Sequence, residues 1–275
     1  LGAVALAKAA TLELGVDVVP IFWMATEDHD FEEISSFRIG EYTFTWKQPH
    51  AKGPVGLLPT DGLADQLESW LEKVPLNEAQ KELLQPRLQA YKDCENLAEA
   101  TRQWVRQWAE GLGLLVLDGQ DPSLKLAADP LWRAEMQGDY SKLIQKQTEA
   151  LVDHGYKAQV FPREINLFDL RDGDRQRFEQ ADHECPSIHI SPNALMRPLY
   201  QEYLLPNLAY VGGGGELAYW LQLGEAFKKL ERPMPILYLR DSLFVQNMKL
   251  QRALDKIGQP LTSVLSNSAE ALKKE

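Results

Sequence analysis

The chain has 275 residues, 44% of them hydrophobic, enough for a sizeable core in one large domain or two smaller ones. Forty acidic residues against 29 basic ones give a formal charge of −11, which excludes non-specific nucleic-acid binding through a broad basic face. Two cysteines, Cys94 and Cys185, are too few for a disulfide framework and point to a reducing cytoplasm, and no apolar run approaches the ~20 residues that span a bilayer, so no membrane partner is expected.

The opening "LGAVALAKAATLELG" reads as a helix already under way, with Gly15 at the C-cap position. Its start at Leu rather than Met reads as a piece of a longer protein. Residues 16–25 are β-branched, aromatic and apolar on both faces, the pattern of a strand in a covered parallel sheet. Residues 37–58 alternate and carry Gly and Pro, which predicts short strands or a hairpin. Residues 59–112 change character: three amphipathic helices with charged, solvated outer faces form a helical insertion.

The sheet pattern resumes at "GLLVLDG" (113–119), a buried strand closed by a turn. Two helices follow over 130–155. Residues 165–180 place Asp172-Gly173 between alternating segments, a hairpin signal. In "ISPNALMRPLYQEYLLP" (190–206), Ser191 and Pro192 make a good N-cap and first-turn pair for a helix. Then come strand, glycine loop and helix over 205–230, a strand over 233–240 and a helix over 242–258. Residues 261–275 begin a further charged helix. Strands alternating with helices predict an α/β doubly wound fold. Segments 16–25, 114–117, 208–211 and 236–239 are expected in one mainly parallel sheet. The core is built from residues 1–58 and 113–260 around the insertion.

Ligands of an open parallel sheet bind at the carboxyl ends of its strands, and Glu27, Asp28, His29 and Asp30 lie just past such an end. Asp30 with Glu33 fits a helix cap and capping box. Glu27, Asp28 and His29 exceed what a cap requires, so the cluster is assigned to catalysis. It suits holding an ammonium group, or His29 acting as base while a carboxylate orients it. The second candidate is "VGGGGELAYW" (211–220). There Gly212, Gly213, Gly214 and Gly215 let the backbone approach a ligand, with Glu216 and Tyr219 on the helix that follows. Gly213, Gly215 and Ala218 also satisfy the loose G-x-G-x-x-A dinucleotide pattern. The third is Ser191, Asn193 and Arg197. Asn193 and Arg197 fall four apart on one helix face, and the guanidinium suits a carboxylate or phosphate. His183, Cys185 and His189 match no established zinc spacing, and no metal ligand is assigned.

Three stretches together, "VVPIFWMATEDHDFEEI", "REINLFDLRDGDR" and "ISPNALMRPLYQEYLLPNLAYVGGGGELAYWLQL…PMPILYLRDS", closely resemble the bacillithiol-biosynthesis cysteine-adding enzyme family, over nearly the whole chain. The resemblance implies a ligase that joins the carboxyl group of cysteine to the amine of glucosaminyl-malate. It also implies a Rossmann-like core with connecting-peptide insertions, akin to class I aminoacyl-tRNA synthetases, and a C-terminal coiled coil that makes a homodimer. This sequence departs from the family in three ways. An N-terminal segment with its own glycine-rich motif and nearly all of the coiled coil are missing. Gly214 stands where the family pattern has proline. The two signature motifs of class I synthetases are not visible.

Two functions follow. In the first, amide formation from a free carboxylate is uphill in water, so the acid is activated, with ATP the candidate co-substrate. The acidic cluster binds the α-ammonium of cysteine or deprotonates the sugar amine, and the glycine loop with Arg197 holds phosphate or malyl carboxylate. In the second, an NAD(P)-dependent oxidoreductase uses Gly213, Gly215 and Ala218, with Asp241 as the acid after the next strand. The second leaves the Asp28-His29-Asp30 cluster without a role.

Overall fold

The computed structural model describes residues 1–48 and 52–266. It divides into two compact units, Leu1–Arg240 and Asp241–Glu275. In the first, α1 (Gly2–Leu14) ends at Gly15, whose φ of 67° suits glycine and whose N–H reaches Thr11 O. Then come β1 (Ile21–Met24), a single turn α2 (Phe31–Ile34) and the antiparallel hairpin β2 (Ser36–Ile39) with β3 (Tyr42–Thr45). The strand predicted from Val16 begins only at Ile21. The Val18 N–H bonds the Thr11 hydroxyl instead of a neighbouring strand, and Pro20 has no N–H for a ladder.

Three helices form as predicted: α3 (Leu63–Leu71), α4 (Glu78–Asp93) and α5 (Leu97–Trp108). Asn77 and Gln80 make a reciprocal capping box at the start of α4, and Asn96 caps α5 through Glu99 N. Hairpin and helices share a core of Phe44, Trp46, Leu63, Leu67 and Leu88. A small cluster of Met24, Ala98, Val105 and Val116 seats α5 on the strands β1 and β4 (Leu115–Asp118).

After β4, α6 (Pro122–Ala127), α7 (Asp129–Met136) and α8 (Ser141–Asp153) precede β5 (Leu167–Asp169), β6 (Gln176–Arg177) and β7 (Ile190–Pro192). The predicted hairpin exists, but six residues, 170–175, join its strands, and β7 adds a third in the order β6-β5-β7. Ser191 lies in β7 opposite Phe168 and caps no helix. The cap of α9 (Met196–Leu204) is Asn193, whose Oδ1 accepts Leu195 N at 2.9 Å and Met196 N at 3.0 Å. Next come β8 (Ala209–Gly212), α10 (Gly214–Trp220), α11 (Gly224–Lys229) and β9 (Ile236–Leu239). The largest core gathers Trp132, Tyr140, Ile144, Leu199, Tyr200, Trp220 and Phe227 from α7 to α11.

The expectation of one sheet needs correction. β1 pairs with β4 and β8 with β9, both in parallel, as two separate two-stranded sheets. Apolar runs without alternation show that strands are covered, but not which strand lies beside which. The link between the pairs is α9. The Tyr200 hydroxyl donates to Gly119 O just past β4, and Arg197 reaches Tyr210 of β8.

In the second unit Asn247 caps α12 (Met248–Ile257), Gly258 ends it in the left-handed region, and α13 (Leu261–Ser266) follows. The expected coiled coil falls mainly on residues 267–275, outside the described residues.

Candidate active site

The site is built from strand ends. Met24 closes β1 in register with Asp118, and the chain then turns through Ala25–Asp30. Backbone bonds hold that turn, Gly56 N to Thr26 O at 3.0 Å and Val55 N to Asp28 O at 2.6 Å. Asp118 is shared: Thr26 Oγ1 donates to one of its oxygens, and Arg102 Nη2 lies 3.2 Å from the other.

The predicted quartet separates into different roles. Glu27 is buried, whereas Asp28, His29 and Asp30 are exposed. Lys125, fully buried, places Nζ 3.2 Å from Glu27 Oε2 and donates to Ile190 O at 2.8 Å. Burial pushes the Glu27 carboxyl up against the pull of the Lys125 charge, and burial pushes the Lys125 ammonium down against Glu27. Gly119 follows Asp118 for a packing reason. A Cβ there would stand 2.9 Å from Glu27 Oε1 and 3.0 Å from the Trp23 ring.

Arg175, from the loop between β5 and β6, reaches the same place. Its Nη2 donates to Pro192 O at 2.6 Å, and Nη1 lies 3.3 Å from His29 Nδ1 and 4.0 Å from Asp28 Oδ1. A guanidinium only donates, so in this contact His29 Nδ1 is the acceptor, while Asp28 Oδ1 lies 3.5 Å from the same nitrogen. Asp28 Oδ1 accepts the His29 backbone N–H at 2.7 Å, and Asp30 caps α2 through Glu33 N. Glu27 Oε2, Ser191 Oγ and Arg175 Nε are buried and lack a well-aligned hydrogen bond among the described residues. The Glu27 carboxylate still faces the Lys125 ammonium and the Ser191 hydroxyl, so Arg175 Nε is the buried donor left to meet a polar ligand.

The glycine loop forms a second cluster. Glu216 Oε2 accepts Gly213 N at 2.8 Å, and its Oε1 accepts the Tyr210 hydroxyl at 2.7 Å. Burial alone would raise the Glu216 carboxyl; the Gly213 N–H, the Tyr210 hydroxyl and the Arg197 charge outweigh it and hold it below its ordinary range. Arg197 Nη2 donates to Tyr210 at 3.0 Å and to Tyr219 at 2.7 Å. Burial pushes the Tyr210 phenol up to about 12, against the Arg197 charge. Gly212 is buried in β8, while Gly214 and Gly215 are exposed and have open space where a Cβ would stand or nearly so. The Arg240 guanidinium lies along Gly213.

Two sequence assignments change. Asn193 does not face a ligand with Arg197: its Oδ1 caps α9 and its Nδ2 donates to Asn166 Oδ1. Arg197 uses its fork on two tyrosines rather than standing free. Among the described residues no side-chain contact joins Asp28, His29 and Asp30 to the glycine loop; α9 meets Gly119, beside Glu27, through Tyr200, and Tyr210 and Tyr219 through Arg197. Sequence reasoning missed Lys125, Arg175, Asp118 and Arg240. Asp118 carried the same signal as Glu27, an acid at the end of an apolar strand, but nothing marks Lys125 within "PSLKLA". Among the described residues no three His, Cys, Asp or Glu side chains gather as a metal set, and no helix is long and apolar enough to cross a membrane. Cys94 and Cys185 are free thiols.

Comparison with known proteins adds the following. The family model described as "Bacillithiol biosynthesis BshC, N-terminal Rossmann-like domain" matches residues 1–188 and 184–241. A protein of Flavobacterium johnsoniae is 37% identical over 260 residues, covering 87% of this chain and 49% of its own. One from Cytophaga hutchinsonii is 34% identical over 251 residues, covering 82% and 45%. One from Christiangramia forsetii is 33% identical over 281 residues, covering 94% and 52%. Each bears the name "Putative cysteine ligase BshC". The chain spans about half the length of these relatives. None of their names speaks for the oxidoreductase reading.

Proposed function

The chain belongs to the bacillithiol-biosynthesis BshC family, and from that premise we propose that it carries the Rossmann-like part of a ligase joining the carboxyl group of cysteine to the amine of glucosaminyl-malate. One observation carries this reading. The carboxyl ends of β1 and β4 converge on Glu27, Lys125, Arg175 and Asp118, with the exposed Asp28 and His29 at their rim. A zwitterionic amino acid needs such a set, an anion for its ammonium and cations for its carboxylate.

In the reaction a C–N bond forms at the cysteine carboxyl carbon, the C–O bond to the activating group breaks and that group leaves with the oxygen, and the attacking amine passes its proton to the Asp28 carboxylate. Asp28 accepts from an ammonium group. His29 donates from Nε2 while Arg175 holds its Nδ1. Arg175, half-buried, faces a carboxylate from Nε. The glycine loop with Arg240 takes the second anionic group, the malyl carboxylate or a phosphate. If ATP activates the acid, Gly214, Gly215 and Arg240 would hold its phosphates, and ATP would supply the leaving group that water cannot. Those residues fit an anion: two open glycines beside an exposed guanidinium. The same reading includes a cytoplasmic enzyme that dimerises through the helix begun at Leu261, which sedimentation of the whole protein tests.

The deciding experiment incubates the whole protein that carries this chain with cysteine, glucosaminyl-malate and ATP, and follows product by mass spectrometry. The expected product is the sum of the two substrates less one water. A folded protein that forms none, with or without ATP, overturns the reading.

A further inference from the structure

A cavity of about 330 Å³ lies between the β2–β3 hairpin, helices α3 to α5 and the last residues of β1. Its wall is aromatic. Phe37, Phe44 and Trp70 pack edge to face around it, with ring centroids 5.3 Å (Phe37–Trp70) and 5.7 Å (Phe44–Trp70) apart. Such a space is unsuited to the substrates proposed above, because a zwitterion or a sugar would leave its water for apolar side chains that return no hydrogen bonds. Its size and lining are those of a small-molecule site, where an apolar body fills the space and a few polar groups fix one end.

The lining supplies one strong polar group, Arg87. Its Nε donates to the Tyr91 hydroxyl at 3.0 Å, and its guanidinium lies 4.5 Å from the centre of the Trp104 ring. The Tyr91 hydroxyl and the Trp104 ring hold the guanidinium, and Arg87 remains exposed. Among the described residues no carboxylate pairs with it. A held, exposed guanidinium without an acid partner is complementary to a carboxylate.

We propose that this cavity, whose lining reaches Ala25 and Thr26 of the turn that carries Glu27 but none of the Glu27, Lys125 and Arg175 cluster, is a binding site for a small carboxylic acid with an aromatic body: the ring packs among Phe37, Phe44 and Trp70, and the carboxylate meets Arg87.

The probes are 3-phenylpropionate and its uncharged counterpart 3-phenylpropan-1-ol, titrated by calorimetry into the whole protein that carries this chain. At the affinity per heavy atom usual for small ligands, the carboxylate is expected to bind with a Kd on the order of 10⁻⁴ M. Arg87→Gln, an exposed change, is expected to weaken it roughly tenfold, the worth of one charge-assisted contact, and to leave the alcohol unchanged. Leu67→Phe, which adds bulk to the lining, is expected to abolish both. If Leu67→Phe does not fold, Arg87→Gln alone decides. No saturable binding of the carboxylate, equal binding of acid and alcohol, or a carboxylate affinity untouched by Arg87→Gln each overturns the proposal.

Discussion

The ammonium of Lys125 lies 3.2 Å from Oε2 of Glu27, with both side chains withdrawn from solvent. The two residues come from different parts of the chain, the turn after β1 and the first helix after β4. Removing one partner strands the other charge in the interior. Lys125→Met is therefore expected to cost about 3–5 kcal/mol in denaturant unfolding, while Lys125→Met with Glu27→Gln recovers most of that loss. A double variant as unstable as the single one would show that the pair acts through packing rather than charge.

Glu135 sets a pH dependence. It is fully buried, and burial pushes its carboxyl up to about 7 against hydrogen bonds from Asn166 and Ser141. The folded chain holds this proton more tightly than the unfolded chain does. Its contribution to stability is complete below the ordinary value of 4.5 and is lost as pH rises toward 7, about 3 kcal/mol in all. Glu135→Gln should flatten the stability profile across that window. An unchanged slope in urea melts from pH 4.5 to 7 would rule this out.

His29→Ala is expected to lower amide formation by roughly 10²–10⁴, the usual loss when a positioned proton-handling group goes. The side chain is exposed and Asp30 still caps α2, so the melting temperature should barely move. Turnover near that of the parent protein would leave His29 a role in the scaffold only.

Asn193→Ala should behave as the loss of a cap. Its Oδ1 serves two backbone N–H groups of α9, so the expected cost is about 1–2 kcal/mol of stability. Substrate affinity should then follow the fraction of folded protein. A selective loss of affinity at full stability would restore it to the ligand-binding residues.

Gly53→Ala tests how the Arg175 loop is held. Gly53 has a φ of 74°, and a Cβ there would stand 2.0 Å from Gly173 O at the tip of that loop. The change should displace the tip, lower stability by about 2 kcal/mol and reduce ligation along with it. Parental ligation in this variant would mean that the loop's position does not matter to the chemistry.

The sequence made local elements readable because their signals are local. Gly15, Asn77 with Gln80, and Asp30 announce helix ends through their own side chains or backbone freedom. The strand-end acids of the first cluster were readable for the same reason. Lys125 was not, since a lysine within a short helix looks solvated until the fold brings Glu27 and Ile190 O to it. Ser191-Pro192 misled because the pair fits a helix start equally well as it fits a strand. Strand neighbours were illegible: an apolar run shows that a strand is covered, and hydrogen bonds with distant residues choose its partner.

Because α9 carries Tyr200 against the end of β4 and Arg197 against β8 and α10, the two polar clusters are mounted on one short rod. A ligand at the glycine loop that tilts this rod changes the footing of Gly119 beneath Glu27, and a ligand at Glu27 does the reverse. By thermodynamic reciprocity each would alter the other's affinity by the same factor. Communication between the two clusters is then a property of a helix that need touch neither ligand.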